Sequence, residues 1–476
     1  MNYYLITKRN LAIAVILSVF SISFGQKNNI QLVTALKPSN AADSQMLAQN
    51  CLERRQFLSQ KFKDGVFVMM NQEKTRDKFY YITGWRSEPA CAIIELSDNA
   101  SFKLFVPSSN PQSIIWNGQL PGKAEAAKMG ATAVQYFDFK KQLREILKSG
   151  KTIYGLSSDI TLKDNLKSIT KSDSLKLVYI DSTLNEMRVL KTPQEVECIR
   201  KAIQVTANAI NNAVRNTQPN MFEYEIAALY SFEYKRNNCE ESFGSICGSG
   251  LNSTALHYDA NNKLMQSGEV LLMDVGAKYN GYCADITRTI PVSGKFTKPQ
   301  LEIYNLVLKA QLDGLKYMKP GNKYMDFHNK CAEIVMRGLY DLGLVTDTTK
   351  KWQRDMFVLY TAGHYLGLDV HDVGKFVDFS QKNSRGRDLL PGMVITIEPG
   401  IYINPAMLDF IYVMYENVPK TELDAYVSKV SAAFKKYANI GIRIEDDILI
   451  TSSGNEVLSA QIPKQPEDIE RLMKKN

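Results

Sequence analysis

The chain is poor in histidine: only 4 occur in 476 residues, at His257, His328, His364 and His371. Few side chains are therefore available as bases near neutral pH or as imidazole metal ligands. After residue 25 no apolar run approaches the ~20 residues that span a bilayer, which excludes a polytopic membrane protein. The seven cysteines, Cys51, Cys91, Cys198, Cys239, Cys247, Cys283 and Cys331, form no CxxC pair that would suggest zinc. Their odd number and scattered spacing make no disulfide framework, although an exported protein could still pair some of them. There is no internal repeat and no low-complexity block. The formal charge of +8 arises from 58 basic and 50 acidic residues interleaved along the chain, a pattern unlike that of a nucleic-acid-binding protein.

What is present fits a globular chain of two to three domains, 45% hydrophobic and 23% charged. Lys8 and Arg9 precede the apolar run LAIAVILSVF, and the small residues Ser23 and Gly25 follow. This order predicts a signal peptide over residues 1–25, cleaved after Gly25, and hence export to the periplasm or medium with no stable membrane span after processing. An uncleaved anchor is the competing reading. Residues 26–45 are polar and predict a tether. Residues 46–187 alternate strand-like runs (GVFVMM, ACAIIEL, FKLFVP, TIYGL, LKLVYI) with helical stretches, which predicts an α/β domain.

A second domain is expected over 188–476. It opens on a marked helix start: Thr192 as N-cap, Pro193 in the first turn, Glu195 closing a capping box. Val196, Ile199, Ile203, Ile210 and Val214 then recur at helical spacing. Beyond Gly248, hairpin patterns mix with helices, predicting an α+β arrangement. A last amphipathic helix is expected from Pro466.

Within this half, carboxylates stand where a sheet would bury aliphatics. EVLLMDVGAKYNGYCADITRTIPV reads as two strands around Asn280-Gly281, a strong hairpin turn signal. With that loop, Asp285 faces Gly276, and Asp274 becomes its diagonal neighbour on the same face. Glu398 ends the apolar strand of MVITIEPGIY. In NIGIRIEDDILIT, Arg443, Glu445 and Asp447 share one face. If these faces converge, at least four carboxylates meet in one core. Two such charges about 4 Å apart repel by about 4 kcal/mol at an effective dielectric near ~20. Cations relieve that repulsion, and hard oxygen ligands with one or two imidazoles suit Mn, Fe, Co or Zn. TAGHYLGLDVHDVG carries His364 and His371, and His257 sits just before the first Asp strand; His328, on a helical stretch, reads as structural or exposed.

At this point the chain resembles the pita-bread metallopeptidases, in particular Xaa-Pro aminopeptidases (aminopeptidase P) and prolidases. GSGLNSTALHYDANNKLMQSGEVLLMDVGAKYNGYCADITRTIPVSGKF, HYLGLDVHDVG, TIEPGIY and GIRIEDDILIT occur in the family's order. FYYITGWRSEPACAIIE and IWNGQLPGKAEAAKMGA are similar to its creatinase/aminopeptidase P-like first domain. The resemblance implies a pita-bread catalytic domain and two divalent metal ions, commonly Mn, with Zn, Co or Fe as alternatives. It implies Asp274, Asp285, His364, Glu398 and Glu445 as ligands. His257 and His371 would contact substrate or shuttle protons, Arg443 would support the site, and Glu398 would transfer the proton. The implied substrate is a proline-containing peptide, cut after its N-terminal residue, and the family often forms dimers or tetramers.

Two departures stand out. The family usually has another histidine four residues before the ligand histidine, where this chain has Tyr360. The stretch between Glu398 and Glu445 is also longer than in compact bacterial relatives, with an extended insertion in 401–438. Its Leu423, Val427, Val430 and Phe434 predict an amphipathic helix, either a surface elaboration or a rim that restricts substrate or makes an oligomer contact. Competing functions are an Xaa-Pro dipeptidase and, from a different class, a non-catalytic pita-bread module that binds peptides.

Overall fold

The computed structural model describes residues 41–98, 101–170, 177–377 and 384–474. The expected signal peptide and most of the expected tether lie outside them. Residues 41–45 belong to a helix, Ala41–Lys61, rather than to the tether. Two alanines, the best helix formers, open that segment and let the helix start early.

Six strands build one mixed sheet. Their spatial order is Thr132–Gln135, Phe102–Val106, Ala90–Leu96, Gly65–Asn71, Thr152–Gly155 and Leu177–Tyr179. The strand Gly65–Asn71 is buried at every position. It pairs antiparallel with Ala90–Leu96 and parallel with Thr152–Gly155. Its unbroken apolar run is what a strand covered on both faces requires. Val66, Val68 and Met70 pack with Leu143, Leu162 and Leu166 of two helices on one side. Phe67 and Met69 join the core that continues into the second half of the chain.

The helix Asp181–Val189 leads into the long helix Pro193–Asn216. Thr192 and Glu195 form the expected capping box, through Thr192 N–H to Glu195 Oε2 at 2.9 Å and Glu195 N–H to Thr192 Oγ1 at 3.3 Å. The other oxygen of Glu195 accepts from Tyr282 Oη at 2.8 Å and pairs with Arg54 at 3.1 Å. One carboxylate thus caps a helix and ties the helix Ala41–Lys61 to the 280s hairpin.

That hairpin has the expected turn. Asn280 and Gly281 adopt φ of 46° and 82°, the left-handed conformations such a two-residue loop needs. Tyr279 pairs with Tyr282, and farther along Val275 pairs with Ile286 and Asp274 with Thr287. A second set of antiparallel strands joins Val394–Ile397 to Asp446–Ile450 and Gly400–Ile403 to Ile440–Arg443. The two sets meet where Glu445 N–H donates to Thr287 O at 3.1 Å. Helices Pro193–Asn216 with Glu223–Arg236, and Lys298–Leu315 with Tyr324–Asp341, pack in pairs around these strands.

In the insertion, the helix Lys420–Tyr437 buries Leu423, Tyr426, Val430 and Phe434. Tyr426 Oη donates to Leu344 O and Trp352 Nε1–H to Glu422. The helix is therefore fastened to the body, whereas Phe410, Val413 and Met414 in the preceding turns remain exposed. The final helix runs Pro466–Met473. All seven cysteines are free, and burial pushes the Cys283 thiol up to about 12.

Candidate metal centre

The hairpin register brings Asp274 and Asp285 to one face. Gly276, opposite Asp285, is required there: a Cβ would sit 1.8 Å from Ala284 O. From the other strand set comes Glu445, and Asp274, Asp285 and Glu445 each offer an oxygen within 4.8 Å of the others. Asp274 is 9% exposed, Asp285 5% and Glu445 1%.

His364 reaches the cluster on a segment laid beside Val394–Ile397. Thr396 N–H donates to His364 O at 2.9 Å, and Glu398 N–H to Ala362 O at 3.2 Å. The approach is close enough that a Cβ on Gly363 would lie 2.2 Å from Thr396 O. His364 Nδ1 stands 3.0 Å from Tyr365 O, an acceptor, so Nδ1 carries the proton. The lone pair of Nε2 is left facing Asp285 Oδ2 at 3.3 Å and Glu398 Oε1 at 3.4 Å. Burial, then the neighbouring His371 charge, lowers His364 to about 4 and keeps it neutral, the form that binds metal. His364, Glu398 and Glu445 form a second cluster, and Asp285, His364 and His371 a third.

Burial and then repulsion from neighbouring carboxylates, Glu445 foremost for Asp285 and Glu398 for Glu445, push both well above the usual carboxylate range. Glu398 rises to about 8, chiefly by burial, with Asp274 adding repulsion against the pull of Arg443. Arg443 is itself buried. It donates through Nη2 to Asp274 Oδ2 at 2.5 Å, through Nη1 to Tyr402 Oη at 2.7 Å and through Nε to Thr287 Oγ1 at 2.9 Å. Thr287 Oγ1 in turn donates to Glu445 Oε2 at 2.7 Å. Asp447 adds a further buried carboxylate, accepting from Asp285 N–H at 3.2 Å.

Two oxygens, Asp274 Oδ1 and Asp447 Oδ1, are buried without a hydrogen-bond partner. Unsatisfied acceptors inside an excess of negative charge call for cations rather than for another donor. The donor set, carboxylate oxygens with one or two imidazole nitrogens, fits divalent first-row ions.

His371 is exposed at the mouth of the cluster, its ring 4.2 Å from that of His364. Burial and then the His257 charge lower it, against Asp274. His257 is exposed too, on a loop held by buried Glu223, which accepts from Ser249 N–H and Tyr258 Oη. His328 stands apart: it is buried, and its Nδ1 accepts from Ala362 N–H at 3.1 Å. It supports the His364 segment from behind.

The residues read from the sequence as carrying chemistry thus come together. Three that matter locally had no role assigned: Thr287, Tyr402 and Asp447. Asp447 had a signal, since it lies two positions beyond Glu445 on one strand face. Tyr402 stands in the motif TIEPGIY, but nothing in its spacing tells that its hydroxyl faces Arg443. Two cavities of about 540 and 380 Å³, bordered by the helix Ala41–Lys61, contain none of the ligand-bearing residues.

Comparison with known proteins gives the same picture. Residues 197–452 match metallopeptidase family M24, and residues 53–154 match the aminopeptidase P N-terminal domain. The Xaa-Pro aminopeptidase of Haemophilus influenzae is 36% identical over 404 residues, 83% of this chain and 87% of that protein. That of Escherichia coli is 33% identical over 463 residues, 90% of this chain and 98% of its own. Among solved structures, zinc-substituted Escherichia coli aminopeptidase P in complex with product superposes with a TM-score of 0.77 at 30% identity, covering 90% of this chain and 98% of that one. With an aminopeptidase P-type domain ahead of an α+β pita-bread unit that gathers these carboxylates and imidazoles, the chain belongs to metallopeptidase family M24.

Proposed function

We propose that the protein is a metal-dependent Xaa-Pro aminopeptidase, releasing the N-terminal residue that precedes proline in a peptide. The observation that carries this reading is the set of three overlapping ligand clusters around unsatisfied buried carboxylate oxygens, inside an M24 unit. Asp274, Asp285, His364, Glu398 and Glu445 would hold two divalent ions. Mn is the first choice from the family resemblance, with Zn, Co or Fe as alternatives. Bound ions supply Lewis acidity and cancel the repulsion among the carboxylates.

The chain's own groups do the rest. Glu398, at the inner edge of the cluster, takes a proton from the attacking water and delivers it to the proline nitrogen. That delivery is essential because the leaving nitrogen belongs to a tertiary amide and departs only when protonated. His371 and His257, at the mouth, offer N–H groups to the substrate carbonyl as its oxygen gains charge. Arg443 holds Asp274 in place.

The test is a peptide series on chelated and Mn-restored protein. Xaa-Pro-Yaa tripeptides and longer peptides should lose their first residue only with metal present. Cleavage of Xaa-Pro alone would identify a dipeptidase instead, and metal-loaded protein inert toward all of them a binding module. The proposal includes export with removal of residues 1–25, supported by the basic–apolar–small order of that segment. The N-terminal sequence of the mature protein, expected to begin at Gln26, tests it. Self-association rests on the family resemblance and is read by light scattering. None of the described helices is long and apolar enough to cross a membrane.

A further inference from the structure

Tyr360 occupies the place where a histidine is usual, and its surroundings show what the phenol does instead. Its Oη lies 2.8 Å from Tyr402 Oη and 3.0 Å from the backbone oxygen of Glu398. Tyr402 Oη also meets Arg443 Nη1. The chemistry at the two ends fixes every proton between them. A guanidinium only donates and a carbonyl only accepts. Arg443 therefore donates to Tyr402, Tyr402 to Tyr360, and Tyr360 to Glu398 O. Each phenol spends its one proton and receives one, so no group along the line is left unpaired.

The backbone makes room for this arrangement. Gly400 lies between Glu398 and Tyr402, and a Cβ there would sit 2.5 Å from Tyr402 Oη and 2.8 Å from Tyr360 Oη. Any other residue would push the two hydroxyls apart. At the far end, Arg443 holds Asp274 directly and Glu445 through Thr287. The line thus starts on the backbone of Glu398 and ends on the carboxylates of two other residues of the cluster.

We propose that Tyr360 is a positioning residue for metal binding: through Tyr402 it fixes Arg443, and thereby the Asp274 and Glu445 carboxylates, without contacting the substrate. This rests on the metal-dependent reading above. A histidine there would bring a shorter side chain that can carry a second positive charge toward Arg443. The neutral phenol leaves the guanidinium as the cation of the line.

Mn titration of chelator-treated full-length protein by calorimetry tests the proposal. Tyr360→Phe keeps the ring and removes the hydroxyl. Outer hydrogen-bond partners of metal ligands typically contribute 10–100-fold in affinity, so Tyr360→Phe should weaken Mn binding by about 10-fold. Tyr402→Phe should weaken it at least as much. Because the two act in series, the double variant should bind no worse than Tyr402→Phe alone. In Mn-dependent peptide hydrolysis the loss should fall on the Mn midpoint and not on the peptide KM. Wild-type affinity in Tyr360→Phe, or multiplying effects in the double variant, would overturn the line. A raised peptide KM at saturating Mn would make Tyr360 a substrate contact and overturn it as well. If wild-type protein binds no Mn, the metal-dependent reading itself fails, an outcome separate from a Mn-binding wild type with an indifferent Tyr360→Phe. Should Tyr360→Phe not fold, Tyr360→Met, which also lacks the hydroxyl, carries the same affinity test.

Discussion

Asp446 and Asp447 are neighbours, both wholly buried, with opposite electrostatics. Burial alone would raise Asp446, but Arg288 and Lys464 outweigh it and hold the carboxyl low, with Ser459 donating as well. For Asp447, burial with the charges of Asp446 and Asp274 outweighs the Asp285 N–H and the pull of Arg288, and it is driven well above the usual range. The first is a structural ion pair and the second part of an uncompensated cluster. A sequence shows two aspartates and cannot tell them apart beyond their alternation, because the compensating cations come from other elements. Glu398 gives a pH signature. Its carboxyl is raised from 4.5 to about 8, so between those values the folded metal-free protein keeps a proton that the unfolded chain has lost. Stability should therefore fall as pH rises through this window. His364, lowered from 6.5 to about 4, acts in the opposite direction below 6.5, so the fall should be clearest between pH 6.5 and 8. Thermal midpoints of chelated protein across that interval check it, and a rising midpoint would contradict it. Glu398→Gln should flatten the slope and lower kcat by about 100-fold or more, the scale of a general acid–base group.

At the scale of elements, short-range signals were legible. The capping box at Thr192, the turn at Asn280-Gly281 and the strands at Gly65–Asn71 and Ala90–Leu96 follow from local chemistry. The strand Thr132–Gln135 was not anticipated. It is a four-residue edge strand with no buried position, and such an edge leaves little apolar pattern to read. The ion pairs behind the His364–His371 segment were also not legible. Arg188 and Lys191, which lie between the two family-matched regions, both bond Asp372, and the three side chains are 1–2% exposed. Asp372 adjoins His371, so these ion pairs brace the segment bearing His364 and His371. Asp372→Asn would leave two buried cations short of charge and should cost about 3 kcal/mol, the usual scale for breaking such a pair. Denaturant unfolding measures it, and a loss below about 0.5 kcal/mol, typical of surface sites, would mean that the pairs brace nothing.

At the scale of the whole molecule, the metal-free protein must hold protons on carboxyls that share one buried volume, because their charged forms repel there. Metal should stabilise it: at an Mn concentration of about 100 times Kd the gain should be about 2.7 kcal/mol. Chelator should lower the melting temperature, and Mn should restore it. No shift with Mn, Zn or Co would argue against a bound ion. The sequence by itself determined the pieces: an α/β unit, an α+β unit, the register that puts Asp274 and Asp285 on one face, and the residue types that suit a divalent ion. These depend on neighbours a few positions away, where turn preference, alternation and capping act. The tertiary structure alone decided the assembly. Thr287 meets Glu445 and Arg443 meets Asp274 across 158 and 169 positions of chain, and Tyr360, Tyr402 and Glu398 close one hydrogen-bonded line. Such contacts depend on how separate hairpins and loops pack, and the direction of a hydroxyl or a guanidinium is set only when that packing is complete.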